Sequence, residues 1–330
     1  MIIRSLAHAL SPGGPRARLT VLIFHRVHAE PDPLLPGEPD AQRFQVLMGW
    51  LKRWFQVLPL DQAVQLLQAG RLPARAAAIS FDDGYANNAT QALPVLRHLG
   101  LPATFFIATS FLNGGRMWND TVIEALRRTS APVLDLRHCA LGLHALHTLP
   151  ERRGAIDRLL ALIKHLSPGQ RQEAVLQVQD AARVALPDDL MLRTAQLLEL
   201  RDSGMQIGAH TVTHPILQCS TEADARWEIA HSKQVLEQCL GEQVSLFAYP
   251  NGRPETDYAA SHVAMVRAAG FRAAFSTACG AATLQHDLLQ LPRFTPWDRG
   301  RLRFGLRMVA NLRQPPLQVA THAAAAGAAR

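Results

Sequence analysis

Apolar residues in this chain gather in short runs separated by stretches of helical period, and that alternation predicts the architecture. Residues 19–24, Leu-Thr-Val-Leu-Ile-Phe, form an unbroken apolar and β-branched run, the pattern of a strand buried on both faces. Runs at 76–79, 103–107, 206–209, 244–249 and 273–276 predict further strands, with shorter ones near 58–60 and 289–291. Between them Phe44, Leu47, Met48, Leu51 and Phe55 recur at helical spacing. Asp61 is placed as the N-cap of a helix over 62–68, and a helix over 88–99 runs into Gly100 with Pro94 early in it. Trp118-Asn119-Asp120 opens a helix to 128. Thr221-x-x-Asp224 has the form of a capping box ahead of a helix ending at Gly241, and a last helix covers 258–269. From about 128 to 200, Leu, Arg and Gln recur with helical period, so a helical insertion is expected there. Strands alternating with helices imply a mainly parallel α/β sheet or barrel, with its site at strand C-terminal ends.

Composition narrows the picture only a little. The 330 residues are 48% hydrophobic, ample for a sizeable core in one large domain or two smaller ones. The net charge of +7 is carried almost wholly by arginine, since lysine occurs only at Lys52, Lys164 and Lys233. The arginines are scattered and not interleaved with aromatics, which argues against a nucleic-acid partner. Cys139, Cys219, Cys239 and Cys279 show no C-x-x-C spacing and read as buried free thiols in a reducing compartment. Residues 1–10 are apolar but broken by Arg4 and His8, too short for a signal-peptide core, and no apolar run reaches membrane-spanning length. The expected location is therefore cytoplasmic, with room for a peripheral membrane contact by the first ten residues. An Ala-rich tail, 313–330, is expected to be disordered.

Chemistry concentrates in two distant stretches. Asp82-Asp83 follows the strand at 76–79 and precedes Gly84 and Tyr85. Adjacent carboxylates at a strand exit form either a solvated turn or a pair kept ionised by a nearby cation. His210-Thr-Val-Thr-His214 follows the strand at 206–209. Two imidazoles four apart can meet one metal ion, and one carboxylate from the first stretch completes a set with positions open to water and substrate.

Ser-Phe-Asp-Asp-Gly, then His-x-x-x-His, then a strand ending in Tyr249-Pro250 resembles the polysaccharide deacetylase (NodB-homology) family over residues 19–294. The resemblance implies a distorted (β/α) barrel, here as a single domain over 19–312 behind an N-terminal segment 1–18. It implies metal-dependent removal of N-acetyl groups from an amino-sugar glycan or precursor, as in exopolysaccharide synthesis. By this likeness Asp82 is the general base, Asp83, His210 and His214 are the ligands of a divalent metal, most often zinc, and the Tyr249 backbone N–H is an oxyanion donor. The Leu-x-His that many relatives use as acid is replaced by Leu291-Pro292-Arg293. Phe24-His25-Arg26-Val27 is similar to a stretch used by a branch acting on poly-N-acetylglucosamine, which makes His25 the candidate acid. Arg293 is the candidate partner of Asp82, because no Arg precedes Pro250 as the family pattern has it. Trp118, with Asn119 and Asp120, is read as a sugar-stacking wall or a core Trp, and Tyr85 as a cleft or packing residue. An inactive carbohydrate binder and a hydrolase of non-sugar amides are the alternative functions.

Overall fold

The apolar runs pair side by side. In the computed structural model, which describes residues 2–296, 298–313 and 319–321, β1 (Leu19–Phe24), β3 (Ala76–Phe81), β4 (Thr104–Ile107), β7 (Gln206–Ala209), β8 (Leu246–Ala248) and β9 (Ala273–Phe275) lie in that order, all parallel. A two-residue strand, β2 (Gln56–Val57), pairs with the start of β3. Every residue of β1, β3 and β4 is buried, as expected of parallel strands covered on both faces. Gly208 in β7 is forced by packing: a Cβ there would lie 2.4 Å from the Phe106 ring.

The segment after β9 closes the curve. Ser276 N–H donates to Leu291 O at 2.8 Å, while Phe294 N–H donates to Val21 O at 2.7 Å. One extended segment thus bonds to both outer strands and draws the sheet into a distorted, curled α/β half-barrel. The apolar run at 289–291 predicts a strand, but Leu288–Gln290 is a single 3-10 turn and only Leu291 bridges to Phe275.

The helices are α1 (Ile2–Leu10), α2 (Ala41–Trp54), α3 (Leu60–Gln68), α4 (Leu93–Leu99), α5 (Trp118–Arg128), α6 (Leu149–Ile163), α7 (Pro168–Ala182), α8 (Thr194–Asp202), α9 (Glu222–Leu240), α10 (Ala260–Ala268) and α11 (Arg301–Asn311). Asp61 is not the cap of α3. The helix starts at Leu60 because Gln206 Oε1, on β7, accepts from both Leu60 N–H and Asp61 N–H at 2.8 and 3.2 Å. The helix expected over 88–99 begins as a π-turn, Asn88–Ala92, ahead of Pro94. Thr221 caps α9 by accepting from Asp224 N–H. No strand or helix was expected for α1 and α11, which pack on each other at Gly305 and Ile3.

The expected helical insertion is only partly helical. It contains an antiparallel hairpin, β5 (Val133–Leu136) and β6 (Gly142–Ala145), before α6 and α7. Hairpin, α6 and α7 pack with α5 around Val122, Leu126, Leu134, Leu159 and Val178. By contrast α8 buries Leu197 and Leu200 in the barrel core. The cysteines are free but not buried: three are half-buried and Cys279 is exposed. Residues 319–321 dock instead of fraying, with Ala320 N–H donating to Gln290 Oε1 at 2.7 Å. Arg313 closes a turn on Ala310, and residues 314–318 and 322–330 of the expected tail lie outside the described residues. No described helix is long and apolar enough to cross a membrane.

Candidate active site

β1, β3 and β7 all end at one rim of the sheet, and each delivers a polar residue there. Asp82 and Asp83 leave β3, His25 leaves β1, and His210 leaves β7. The backbone holds this corner by ladder continuation: Asp82 N–H donates to Phe24 O at 2.9 Å, and His210 N–H to Ile107 O at 3.0 Å.

Asp82 is buried and pairs bidentately with Arg293, Nη1 to Oδ1 at 2.6 Å and Nη2 to Oδ2 at 2.8 Å. Arg293 is itself 1% exposed, and its Nε donates to Ser276 O at 3.0 Å. Burial alone pushes the Asp82 carboxyl up, yet Arg293, His210 and His25 together hold it below the usual carboxylate range. Asp82 therefore stays ionised, oriented by a rigid fork.

Asp83 turns the other way, with φ +76°. Its Oδ1 lies 3.5 Å from His210 Nε2 and 3.3 Å from His214 Nε2, and it is buried without a hydrogen-bond donor. Thr211 and His214 also sit at positive φ, +66° and +54°. Left-handed backbone at a β-branched residue is unfavourable and persists only where surroundings impose it. The buried Glu228 carboxylate on α9 imposes it here, accepting from Val212 N–H at 2.7 Å, Thr213 N–H at 2.8 Å and Thr213 Oγ1 at 2.5 Å. His210 Nδ1 donates to Ala248 O at 2.7 Å, which leaves Nε2 with its lone pair turned toward Asp83. Burial lowers His214 to about 3, so its imidazole is neutral at ordinary pH.

These three donor atoms all lie within 4.8 Å of one another. Donors sharing a tetrahedral zinc at about 2.0–2.2 Å stand roughly 3.3 Å apart, close to the spacing from Asp83 to each imidazole. The unpartnered Asp83 oxygen and the two imidazole nitrogens that face it fit a divalent cation better than any hydrogen-bond network available to them.

The sequence pattern of the polysaccharide deacetylase family matches residues 69–134 and 169–274, over half of the chain and both motif stretches. The chain belongs to the polysaccharide deacetylase family. It is a hydrolase of non-peptide amide bonds from a family that acts on acetylated polysaccharides and is generally metal-dependent. The deacetylase is 21% identical over 279 residues to YxkH of Bacillus subtilis (strain 168), a relative assigned to the same family, covering 84% of this chain and 71% of that one. Its fold is similar to that of the Streptococcus pyogenes deacetylase PplD, solved with acetate, with a TM-score of 0.58, 17% identity, and 91% and 99% of the two chains covered. It is similar also to IcaB from Ammonifex degensii, with a TM-score of 0.56 and 17% identity over 91% and 98% of the chains.

The deacetylase brings most, not all, of the sequence candidates together. His25 is exposed and lines a cavity of about 390 Å³ with Asp82, Asp83, His210, His214 and Trp118. Its carbonyl accepts from Asn88 Nδ2 at 2.9 Å, which anchors the chain without using the imidazole. Tyr249 does not fit its expected part. Its backbone N–H continues the ladder by donating to Phe275 O at 3.1 Å, and its ring stacks on Tyr258 with centroids 3.9 Å apart. Tyr85 is a packing residue: it is 2% exposed beside Met117 and Met191 and absent from the cavity wall. Asp120 is likewise absent from the cavity wall, which Trp118 and Asn119 line. It sits behind them, accepting from Tyr85 Oη at 3.2 Å with Arg26 at 3.5 Å. Burial, with the Asp83 charge adding, raises Asp120 to about 7. Five residues escape sequence reasoning: Glu228, Asn251 and the insertion residues Leu160, Ala161 and Lys164, all but Glu228 on the cavity wall. A local signal exists only for Asn251, in the Pro250-Asn251-Gly252 turn.

Proposed function

We propose that this deacetylase removes N-acetyl groups from an amino-sugar glycan or glycan precursor, with Asp83, His210 and His214 holding a divalent cation, zinc by donor type. The observation that carries the reading is the convergence of those three ligand atoms beside an ionised, Arg293-clamped Asp82. A cation bound there supplies Lewis acidity that acidifies water and polarises an acetamide carbonyl.

The chain's own residues then have definite tasks. Asp82 accepts the proton of the attacking water, and Arg293 keeps its carboxylate fixed while that proton arrives. His25, at the open mouth of the cavity, donates a proton to the departing amine, since no histidine stands at 291–293. Asn251 takes the place left by the committed Tyr249 N–H as a polar partner of the developing oxyanion. Trp118 and Leu160 wall the cavity against bulk water and offer a face for a pyranose ring. Neighbours that carry the word deacetylase, PplD and the de-N-acetylase from Aggregatibacter actinomycetemcomitans, support an acetyl group as the one removed. Exopolysaccharide synthesis is the setting that suits such a reaction.

The test is acetate release from chito-oligosaccharide by Asp82→Asn and His25→Ala, with bound metal measured on the same samples. Each variant is expected to lose about 10²–10⁴-fold in kcat while retaining metal. Wild-type rates in both would reject these roles, and turnover confined to non-sugar amides would reject the substrate class.

A further inference from the structure

The wall that the insertion adds to the cavity carries a cation, Lys164, with a second, Arg171, behind it, and no anion among its lining residues. Lys164, capping the C-terminal end of α6, lines the same cavity as Asp82, Asp83, His210 and His214. Arg171, on α7, lies over Trp118 with its guanidinium carbon 5.6 Å from the ring centroid. Arg171 is only 8% exposed. Among the described residues neither Lys164 nor Arg171 makes an ion pair. Glu228 acts on Arg171 only from a distance, being committed to Val212 and Thr213. A buried charge is ordinarily paired, and stacking on an indole recovers only part of its lost hydration. On the barrel side the Asp82 charge is already met by Arg293, and the Asp83 charge would be met by the cation proposed above.

We propose that Lys164, on the cavity wall, with Arg171 behind Trp118, recognises a negatively charged group, phosphate or carboxylate, on the glycan next to the reacting acetamido sugar. The proposal rests on the deacetylase reading above and names the substrate class of that site more narrowly. Lys164 meets the anion as a point charge at the cavity wall. Arg171 adds a second positive charge behind Trp118 and holds that ring in place.

Calorimetric titration with three probes tests it: neutral chitotetraose, chitotetraose bearing a terminal phosphate, and a hyaluronan tetrasaccharide, which bears carboxylates. Wild-type protein is expected to bind at least one charged probe about tenfold more tightly than chitotetraose. The gap should narrow at about 0.5 M salt. The probe that gains identifies phosphate or carboxylate as the preferred anion. Lys164→Met should shrink the charged-to-neutral affinity ratio by about tenfold. Arg171→Lys, which keeps the charge and loses the flat stacking group, should shrink it less. Chitotetraose binding as tightly as both charged probes, or Lys164→Met weakening all three equally, overturns the proposal. Acetate release on the same samples separates the two readings. Charge preference without acetate refutes deacetylation and keeps the anion site; acetate without charge preference does the reverse.

Discussion

On the barrel side of the cavity the charges of Asp82 and Glu228 are answered by the protein itself. Asp82 meets Arg293 at 2.6 and 2.8 Å, and Glu228 meets three donors of the histidine loop. On the insertion side, Lys164 and Arg171 meet no carboxylate among the described residues. The difference teaches that the two sides have different work. A base must hold one orientation and one protonation state through the reaction, so its partner is built in. A recognition wall gains by leaving its charge to be answered by what binds.

The contrast breaks first at Arg293. Arg293→Met leaves the buried Asp82 carboxylate unpaired and is expected to cost about 3–5 kcal/mol in denaturant unfolding. Because the folded-state basicity of Asp82 is lowered, its share of stability is present above the ordinary carboxylate range and is lost as pH falls through the folded value. A cost under about 1 kcal/mol would mean that the pair is ornamental and the contrast unfounded.

Asp120 sits at the seam between the two sides, and its sign is opposite. Its folded value is raised to about 7, so the folded chain keeps a proton that the unfolded chain has released, and stability falls as pH rises toward that value. Asp120→Asn is expected to remove up to about 4 kcal/mol of the stability lost as pH rises from the ordinary carboxylate value of 3.8 to about 7. The measurement is parallel urea unfolding of both proteins across that range; superimposable pH profiles would contradict the buried-acid assignment.

Glu228→Gln sharpens the comparison at smaller scale. One carboxylate oxygen becomes a donor facing donors, at a cost of about 1–3 kcal/mol. Because Glu228 holds the loop that carries His214, metal affinity should also fall about tenfold, read by competition with a chelator. Unchanged affinity would show that the loop keeps its shape without Glu228.

Much of this was legible in the chain, for a physical reason. Buried strands announce themselves as local apolar runs, and Asp82-Asp83 and His210–His214 are short motifs at strand ends, so the rim of the barrel follows from local pattern. Arg293 was legible only as the basic residue standing where the family places a histidine. What stayed hidden depends on distant neighbours. Gln206 caps α3 from 146 residues away, and Glu228 braces Thr213 from the following helix. Tyr249 lost its expected role because the register of β9 claims its N–H. The hairpin of the insertion alternates over only four residues per strand, too short a pattern to stand out against helical surroundings.

The central claim is that Asp83, His210 and His214 grip one divalent ion, and metal content measured by mass spectrometry after zinc loading and desalting tests it most directly. The account expects one zinc per chain in the wild type and in Asp82→Asn. It expects that zinc to be lost from Asp83→Ala and His214→Ala, with the fold of both intact by circular dichroism. Full zinc occupancy in folded Asp83→Ala would contradict it.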